Sequence, residues 1–253
     1  VEHDRHVGQL LKKLDDLGIA DNTIVMYSTD NGVHFNTWPD AGITPFRSEK
    51  NTNWEGAFRV PCDVRWPGKI QPGQVSNEIM AHEDWIPTVM AAAGDTTVKQ
   101  KLLKGMKVGK KTYKSHLDGY NFLPYLTGQE KKGPRKDFFY FSDDAELMAL
   151  RMGDWKLVFM EQRAKQFDVW REPLITLRAP KIFHMRRDPF ERADTDANTY
   201  NEWWEEHAPY IYMAQARVAR AVGTLAEFPP RQKPASFNMD RILDNLEKNN
   251  RGD

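Results

Sequence analysis

A short apolar run from Ile24 to Tyr27 ends in Ser28-Thr29 and breaks at Asp30-Asn31-Gly32. A run of this length, closed by a turn signal, predicts a buried strand over Thr23–Thr29. Its carboxyl end presents an acid and an amide, and Gly32 lets the backbone turn away. Ahead of it, Val7, Leu10, Leu11, Leu14 and Leu17 recur at helical spacing and Gly18 supplies a stop. Helix, short link and strand together make an α/β unit. Ligands bind outside the carboxyl ends of strands in open α/β sheets. A carboxylate beside an amide oxygen there is half of a hard-cation site, which makes Asp30 and Asn31 candidate metal ligands. The same three residues also suit a plain Asp-Asn-Gly turn.

The chain is long enough, at 253 residues, for one large domain or a domain with an appendage. Lys plus Arg equals Asp plus Glu at 36 each, so no net field draws it to nucleic acid. Its apolar runs are far shorter than a membrane span. One cysteine, Cys62, excludes an intrachain disulfide framework and leaves the compartment open. Val1 stands at the start of a predicted helix, with no charged-then-apolar signal segment. The expectation is a fragment.

Downstream of Asp30-Asn31-Gly32 come His34, Arg47 and Lys50, then Trp54-Glu55-Gly56, Arg59-Val60-Pro61 and Trp66-Pro67-Gly68. In this order and spacing they resemble the sulfatase family of the alkaline-phosphatase-like superfamily. Asp118-Gly119 with Leu123-Pro124 and Gly128, Ala149 to Lys156, and Asp188-Pro189-Phe190-Glu191 resemble further segments of that family. The resemblance covers most of the chain but only the family's C-terminal half. It implies a sulfuric ester hydrolase acting on a sulfate-ester small molecule or a sulfated glycan. It implies Ca²⁺, in preference to Mg²⁺, held in part by Asp30 and Asn31. Lys50 is then the sulfate-contacting lysine, His34 a proton donor to the leaving group, and Arg47 a second anion contact. Periplasmic or extracellular placement is common in the family.

The family's nucleophile is a formylglycine made from Cys or Ser in a Cys/Ser-x-Pro-x-Arg motif. No Ser or Cys here has Pro two and Arg four residues on, and Cys62 is followed by Asp63, Val64 and Arg65. Cys62 reads instead as a small cysteine buried in a strand over Pro61–Trp66. The nucleophile, the second acidic pair and the rest of the N-terminal half are expected upstream, and the chain alone is expected to be inactive. A half-domain would also expose sheet edges and apolar faces.

Residues 1–134 are expected to be the C-terminal part of a doubly wound α/β sheet domain. Residues 135–253 are expected to form a smaller antiparallel subdomain with a packing helix. The short runs Phe138–Phe141, Leu147–Met152, Trp155–Met160 and Ile182–Met185, with no helices between, predict antiparallel strands. Thr199–Val222 predicts one amphipathic helix, and Ile242–Leu246 a short terminal one. His82–Gly94 reads as a helix around Pro87, and Lys-rich Thr96–Lys114 as a solvated loop. Glu55 and Arg59 read as a structural pair at helical spacing. Arg151 and Lys156 read as surface charges of a hairpin, His3 and His6 as ordinary helix histidines, and His82 as structural.

Two other readings fit the same residues. One is a phosphodiester or phosphonate ester hydrolase of the same superfamily, using a different nucleophile. The other is a non-catalytic binding module that kept the fold.

Overall fold

The computed structural model describes residues 1–229. The terminal helix expected at Ile242–Leu246, with Pro230 and Pro234, lies outside the described residues. Helix α1 (Glu2–Asp16) leads through a 3₁₀ turn at Ala20–Asn22 into strand β1 (Val25–Ser28). After the long loop that follows β1 come one turn of helix, α2 (Glu55–Phe58), and strand β2 (Cys62–Arg65). Strand β2 returns antiparallel to β1, pairing Val25 with Arg65 and Ser28 with Cys62. Of the α/β sheet, the described residues therefore contribute these two strands.

Strand β1 is not buried as its sequence predicts. Met26 and Tyr27 are 40% and 41% exposed, because β1 has a partner on one edge only and α1 buries none of its own residues. Cys62, expected inside a strand, is exposed on β2. Burial and the neighbouring Asp63 charge push its thiol pKa up, against a lowering hydrogen bond with Ser28. Both features keep it a thiol rather than a nucleophilic thiolate.

Helix α3 (Trp85–Ala92) starts behind the 3₁₀ turn His82–Asp84 and ends before Gly94, whose φ of +95° suits glycine. Buried Asp84 is the hub of this region. It accepts from the Ala81 and Tyr120 backbone N–H groups at 2.8 and 2.7 Å and from the Arg135 guanidinium at 2.8 and 2.7 Å. A bidentate pair of this kind fixes orientation as well as charge. Thr96–Lys114 is more ordered than a solvated loop. It forms helix α4 (Val98–Lys104) and a hairpin of β3 (Met106–Val108) and β4 (Lys111–Tyr113). Buried Val98 and the positive φ at Gly105 and Gly109 define this unit, and lysines cover its outer faces. One further helical turn, α5 (Leu123–Leu126), carries Pro124 near its start.

The C-terminal part is a four-stranded antiparallel meander in the order β5-β6-β7-β8. Its strands are β5 (Asp137–Phe141), β6 (Leu147–Met152), β7 (Trp155–Glu161) and β8 (Ile175–His184). Sequence patterning catches only the end of β8. Its first half, Ile175-Thr176-Leu177-Arg178-Ala179, is half exposed and is followed by Pro180, which an edge strand tolerates. Alternation then divides the sheet's two faces. Tyr140, Met148, Val158 and Phe183 pack on Trp54 and Phe58 from the α2 region. Leu150, Leu157 and Ile182 face Trp203, Trp204, Ile211 and Val218.

Those last residues lie on α7 (Tyr200–His207) and α8 (Pro209–Glu227), which follow the single turn α6 (Ala193–Asp196). The single helix expected over Thr199–Val222 is thus two. Pro209 lacks an N–H and fits the first turn of α8, but it cannot continue α7. Trp155 stacks on Tyr210 with ring centroids 3.9 Å apart, seating α8 on the sheet.

Candidate active site

Strand β1 delivers Asp30 and Asn31 to the rim of an open cleft of about 1950 Å³, which Lys50 also lines. The Asn31 amide donates through Nδ2 to the Gly32 carbonyl at 2.8 Å. Its Oδ1 is then the atom suited to a cation. Two features hold this loop in place. The Gly32 N–H donates to the Ala57 carbonyl at 2.7 Å, and the Gly56 N–H to the Arg47 carbonyl at 2.8 Å. A Cβ on Gly32 would lie 1.7 Å from the Gly56 carbonyl oxygen, and one on Gly56 would lie 2.2 Å from that of Ser48. Only glycine at both positions allows so close a backbone approach.

Lys50 sits between two residues in the left-handed region, Ser48 at φ +62° and Asn51 at φ +67°. Such positions cost on the order of 1 kcal/mol or more each and persist where surrounding contacts fix them. Here the Lys50 N–H donates to the Val33 carbonyl at 2.9 Å, and Asn51 Nδ2 to the Val169 carbonyl at 2.7 Å. Glu49, fully buried, clamps both sides: Oε2 accepts from the Phe35 N–H at 2.9 Å and Oε1 from the Gln166 N–H at 2.6 Å.

His34 is not on the wall of the cleft but beside it. The Asn36 N–H lies 3.1 Å from its Nδ1 and the Trp170 indole N–H 2.9 Å from its Nε2. A neutral imidazole has a single acceptor nitrogen, so the ring accepts from only one of these two donors at a time. Arg47 faces away from the cleft. It pairs with Asp194 at 2.7 Å, donates to the Glu191 carbonyl at 2.6 Å and lies over the Trp54 ring at 3.5 Å. The structure therefore brings Asp30, Asn31 and Lys50 to one cleft, sets His34 next to it and ties Arg47 to the C-terminal part.

Among the described residues, no group of three or more His, Cys, Asp or Glu side chains is placed to hold a metal ion. The two oxygen donors at Asp30 and Asn31 have the chemistry of a hard-cation site, but Ca²⁺ takes roughly 6–8 oxygens. They fit as part of a ligand set.

Behind the cleft, Lys156 is fully buried between two acids, 3.1 Å from Glu55 Oε1 and 2.7 Å from Glu191 Oε1. Tyr140 donates its hydroxyl to Glu55 at 2.6 Å, and the Glu55 N–H donates to Glu191 Oε2 at 2.7 Å. Lys156 is thus not the surface charge expected of it, and the expected structural pairing of Glu55 with Arg59 is replaced. Glu55 turns inward to Lys156 and Arg151, and Arg59 lies over Phe46. Burial raises the Glu55 carboxyl, but Lys156, Arg151 and Tyr140 outweigh it and hold it below the ordinary value. Glu191 is raised, by burial first and by the Glu55 charge, against the pull of Lys156. Glu55, Tyr140 and Arg151 also line the cleft, and Lys156 and Glu191 brace them from within.

Sequence reasoning missed Glu49 and Trp170. A tryptophan among polar residues at Asp168-Val169-Trp170-Arg171 was a legible signal, whereas nothing local marks Glu49 as buried.

Two family models match the chain: that of the sulfatases over residues 1–95, and that of the C-terminal region of aryl-sulfatase over 133–246. The human N-acetylgalactosamine-6-sulfatase is 31% identical over 210 residues, covering 76% of this chain and 37% of that protein. The arylsulfatase of Hemicentrotus pulcherrimus is 35% identical over 163 residues, covering 64% and 26%. Among solved structures, the PsFucS1 sulfatase of Pseudoalteromonas sp. superposes with a TM-score of 0.72 at 28% identity, over 90% of this chain and 42% of that one. The chain thus spans less than half the length of these relatives.

Proposed function

We propose, from the premise that this chain belongs to the sulfatase family, that it is the C-terminal portion of a sulfuric ester hydrolase and supplies part of its cation and sulfate site. The observation that carries the proposal is the convergence of Asp30, Asn31 and Lys50 on one cleft. Residues 1–134 complete the α/β catalytic domain, and the C-terminal subdomain begins at residue 135, its described residues forming the antiparallel sheet and helices braced behind it. The substrate is a sulfate ester of a small molecule or of a sulfated glycan.

Hydrolysis of such an ester needs a nucleophile at sulfur, neutralisation of the sulfate oxygens and a proton for the departing oxygen. Lys50 offers a compact ammonium to the sulfate oxygens, where charge grows in the transition state. Asp30 and Asn31 contribute two oxygens to a Ca²⁺ site. When bound, that ion polarises the sulfate as a Lewis acid. His34 carries the proton to the leaving oxygen, which requires its Nε2 to exchange the Trp170 N–H for the substrate. The nucleophile, a formylglycine in this family, and the remaining cation ligands lie in an N-terminal half that precedes this chain in the full protein.

The test is hydrolysis by the full-length protein of 4-nitrophenyl sulfate against 4-nitrophenyl phosphate, with and without a calcium chelator. Calcium-dependent preference for the sulfate is expected. Preference for the phosphate moves the chain to a phosphoester hydrolase, and no turnover of either leaves the binding module. The coding sequence upstream of Val1 supplies an independent check. A Cys/Ser-x-Pro-x-Arg motif preceded by an acidic pair is expected there.

A further inference from the structure

Trp170 is an exposed indole at the edge of the cleft that also holds Asp30, Asn31 and Lys50, and sulfate chemistry by itself gives it no task. It is 47% exposed, while Val169 before it is 2% exposed. The indole N–H lies 2.9 Å from His34 Nε2, with the two ring planes within 14° and their centroids 6.1 Å apart. A nitrogen–nitrogen separation of 2.9 Å is shorter than the thickness of an aromatic ring, so the rings do not overlap. They lie edge to edge, nearly in one plane. The indole's polar edge is therefore turned to His34, and what it offers the cleft is its apolar face.

That face is fixed relative to Lys50. The loop carrying it is tied by Gln166 N–H to Glu49 and by the Val169 carbonyl to Asn51, the two residues that flank Lys50 in sequence. Lys50 Nζ stands 5.8 Å from the indole centroid. An anion held by Lys50 thus lies within reach of the indole face. Phe141, 44% exposed, also lines the cleft, but it stands at the end of β5, outside the loop tied to Glu49 and Asn51. Trp38 and Phe167 do not line the cleft, and Arg171 covers Phe167 at 4.6 Å.

We infer that Trp170 is a specificity-determining residue: a flat platform on which the ring of the ester's alcohol part, aryl or pyranose, rests while Lys50 holds the sulfate. The inference rests on the sulfatase reading above. Ring faces stacked on an indole gain dispersion and exclude water, whereas a short alkyl group has little area to contribute. Trp170 thus acts on the leaving group rather than on the sulfate.

The experiment measures kcat and KM of the full-length protein and its Trp170→Ala and Trp170→Phe variants. Three esters are compared: 4-nitrophenyl sulfate, a sulfated monosaccharide and ringless methyl sulfate. Inhibition by inorganic sulfate is measured in parallel. Trp170→Ala is expected to raise KM for a ring-bearing ester about tenfold, the scale of one lost ring-stacking contact. The KM for the methyl ester and the inhibition constant for inorganic sulfate should change less than about twofold, whereas any disturbance of His34 would lower kcat for all three esters alike. Trp170→Phe, which keeps a ring face, should recover most of the loss. The ring ester that loses more names the ring class. Equal losses for ring and ringless esters, or a parallel rise in the sulfate inhibition constant, would overturn the platform. A wild-type protein that is inhibited by sulfate but indifferent to Trp170 would also overturn it, and leave the sulfatase reading standing. A wild type that neither cleaves these esters nor binds sulfate removes both.

Discussion

Lys156 Nζ lies 2.7 Å from Glu191 Oε1 with both side chains fully out of solvent, and this pair ties β7 to the turn that follows β8. Glu55, 3.1 Å from the same ammonium, carries the tie across to α2, one residue from the Gly56 that supports the Asp30 loop. One buried cation thus connects the C-terminal sheet with the backbone of the candidate site.

Lys156→Met would strand two acids in a dry interior. Breaking a buried ion pair by removing one partner costs about 3–5 kcal/mol, far more than loss of a surface pair. Urea unfolding of the wild type and the variant at neutral pH measures it. A change below about 1 kcal/mol, the range of an exposed pair, would show that the brace is not load-sharing.

Stability should fall in acid partly through Glu55. Its folded pKa lies below the ordinary 4.5, so its contribution is present above that value and lost as the pH falls through the lowered folded value. Glu191, raised in the fold, acts in the opposite sense: its contribution is full below 4.5 and declines as the pH rises through the folded value. Glu55→Gln should flatten the decline in unfolding free energy below pH 4.5. An unchanged slope would assign acid sensitivity to other carboxyls.

Gly32→Ala should damage the site through the backbone alone. Its Cβ would meet the Gly56 carbonyl at 1.7 Å, so one of the two segments must move. Overpacking of this kind costs about 1–3 kcal/mol, and a displacement of about 1 Å at a catalytic group costs about 100-fold in rate. Thermal melting and kcat/KM of the full-length variant check both. Wild-type values in the two together would mean the loop absorbs the methyl group freely.

Lys50→Ala should lower kcat/KM for a sulfate ester by about 100-fold, the scale of one lost oxyanion contact, and weaken inhibition by inorganic sulfate. Lys50→Arg should recover part of it, and calcium binding should be unaltered. Calorimetric titration with calcium separates the two effects. Loss of calcium affinity in Lys50→Ala would point to a collapsed loop instead.

Much of the fold was legible because it rests on local rules. The apolar run that becomes β1, the hairpin turn at Gly153 with φ +58° between β6 and β7, and helix α1 with Gly18 behind it at φ +66° each follow from residue types at short range. The candidate site was named in the same way: Asp30 and Asn31 stand next to a strand end, and Lys50 lies in an ordered pattern of neighbouring residues. The fates of Lys156, Glu55 and Arg47 were not legible, since each is decided by partners about 100 or more residues away. A lysine in a hairpin reads as solvated until a second and third segment close over it.

The sequence alone determined the helix and strand that open the chain, the acid and amide at the end of β1, the run of antiparallel strands near the C-terminus and the family pattern, because periodicity and turn chemistry act over a few residues. Only the tertiary structure decided which charges are buried, that Glu49 fastens the Trp170 loop beside Lys50, and that Arg47 turns to Asp194. Burial and pairing are properties of surfaces brought together from distant parts of the chain, and desolvation then makes each charge choose the partner within reach.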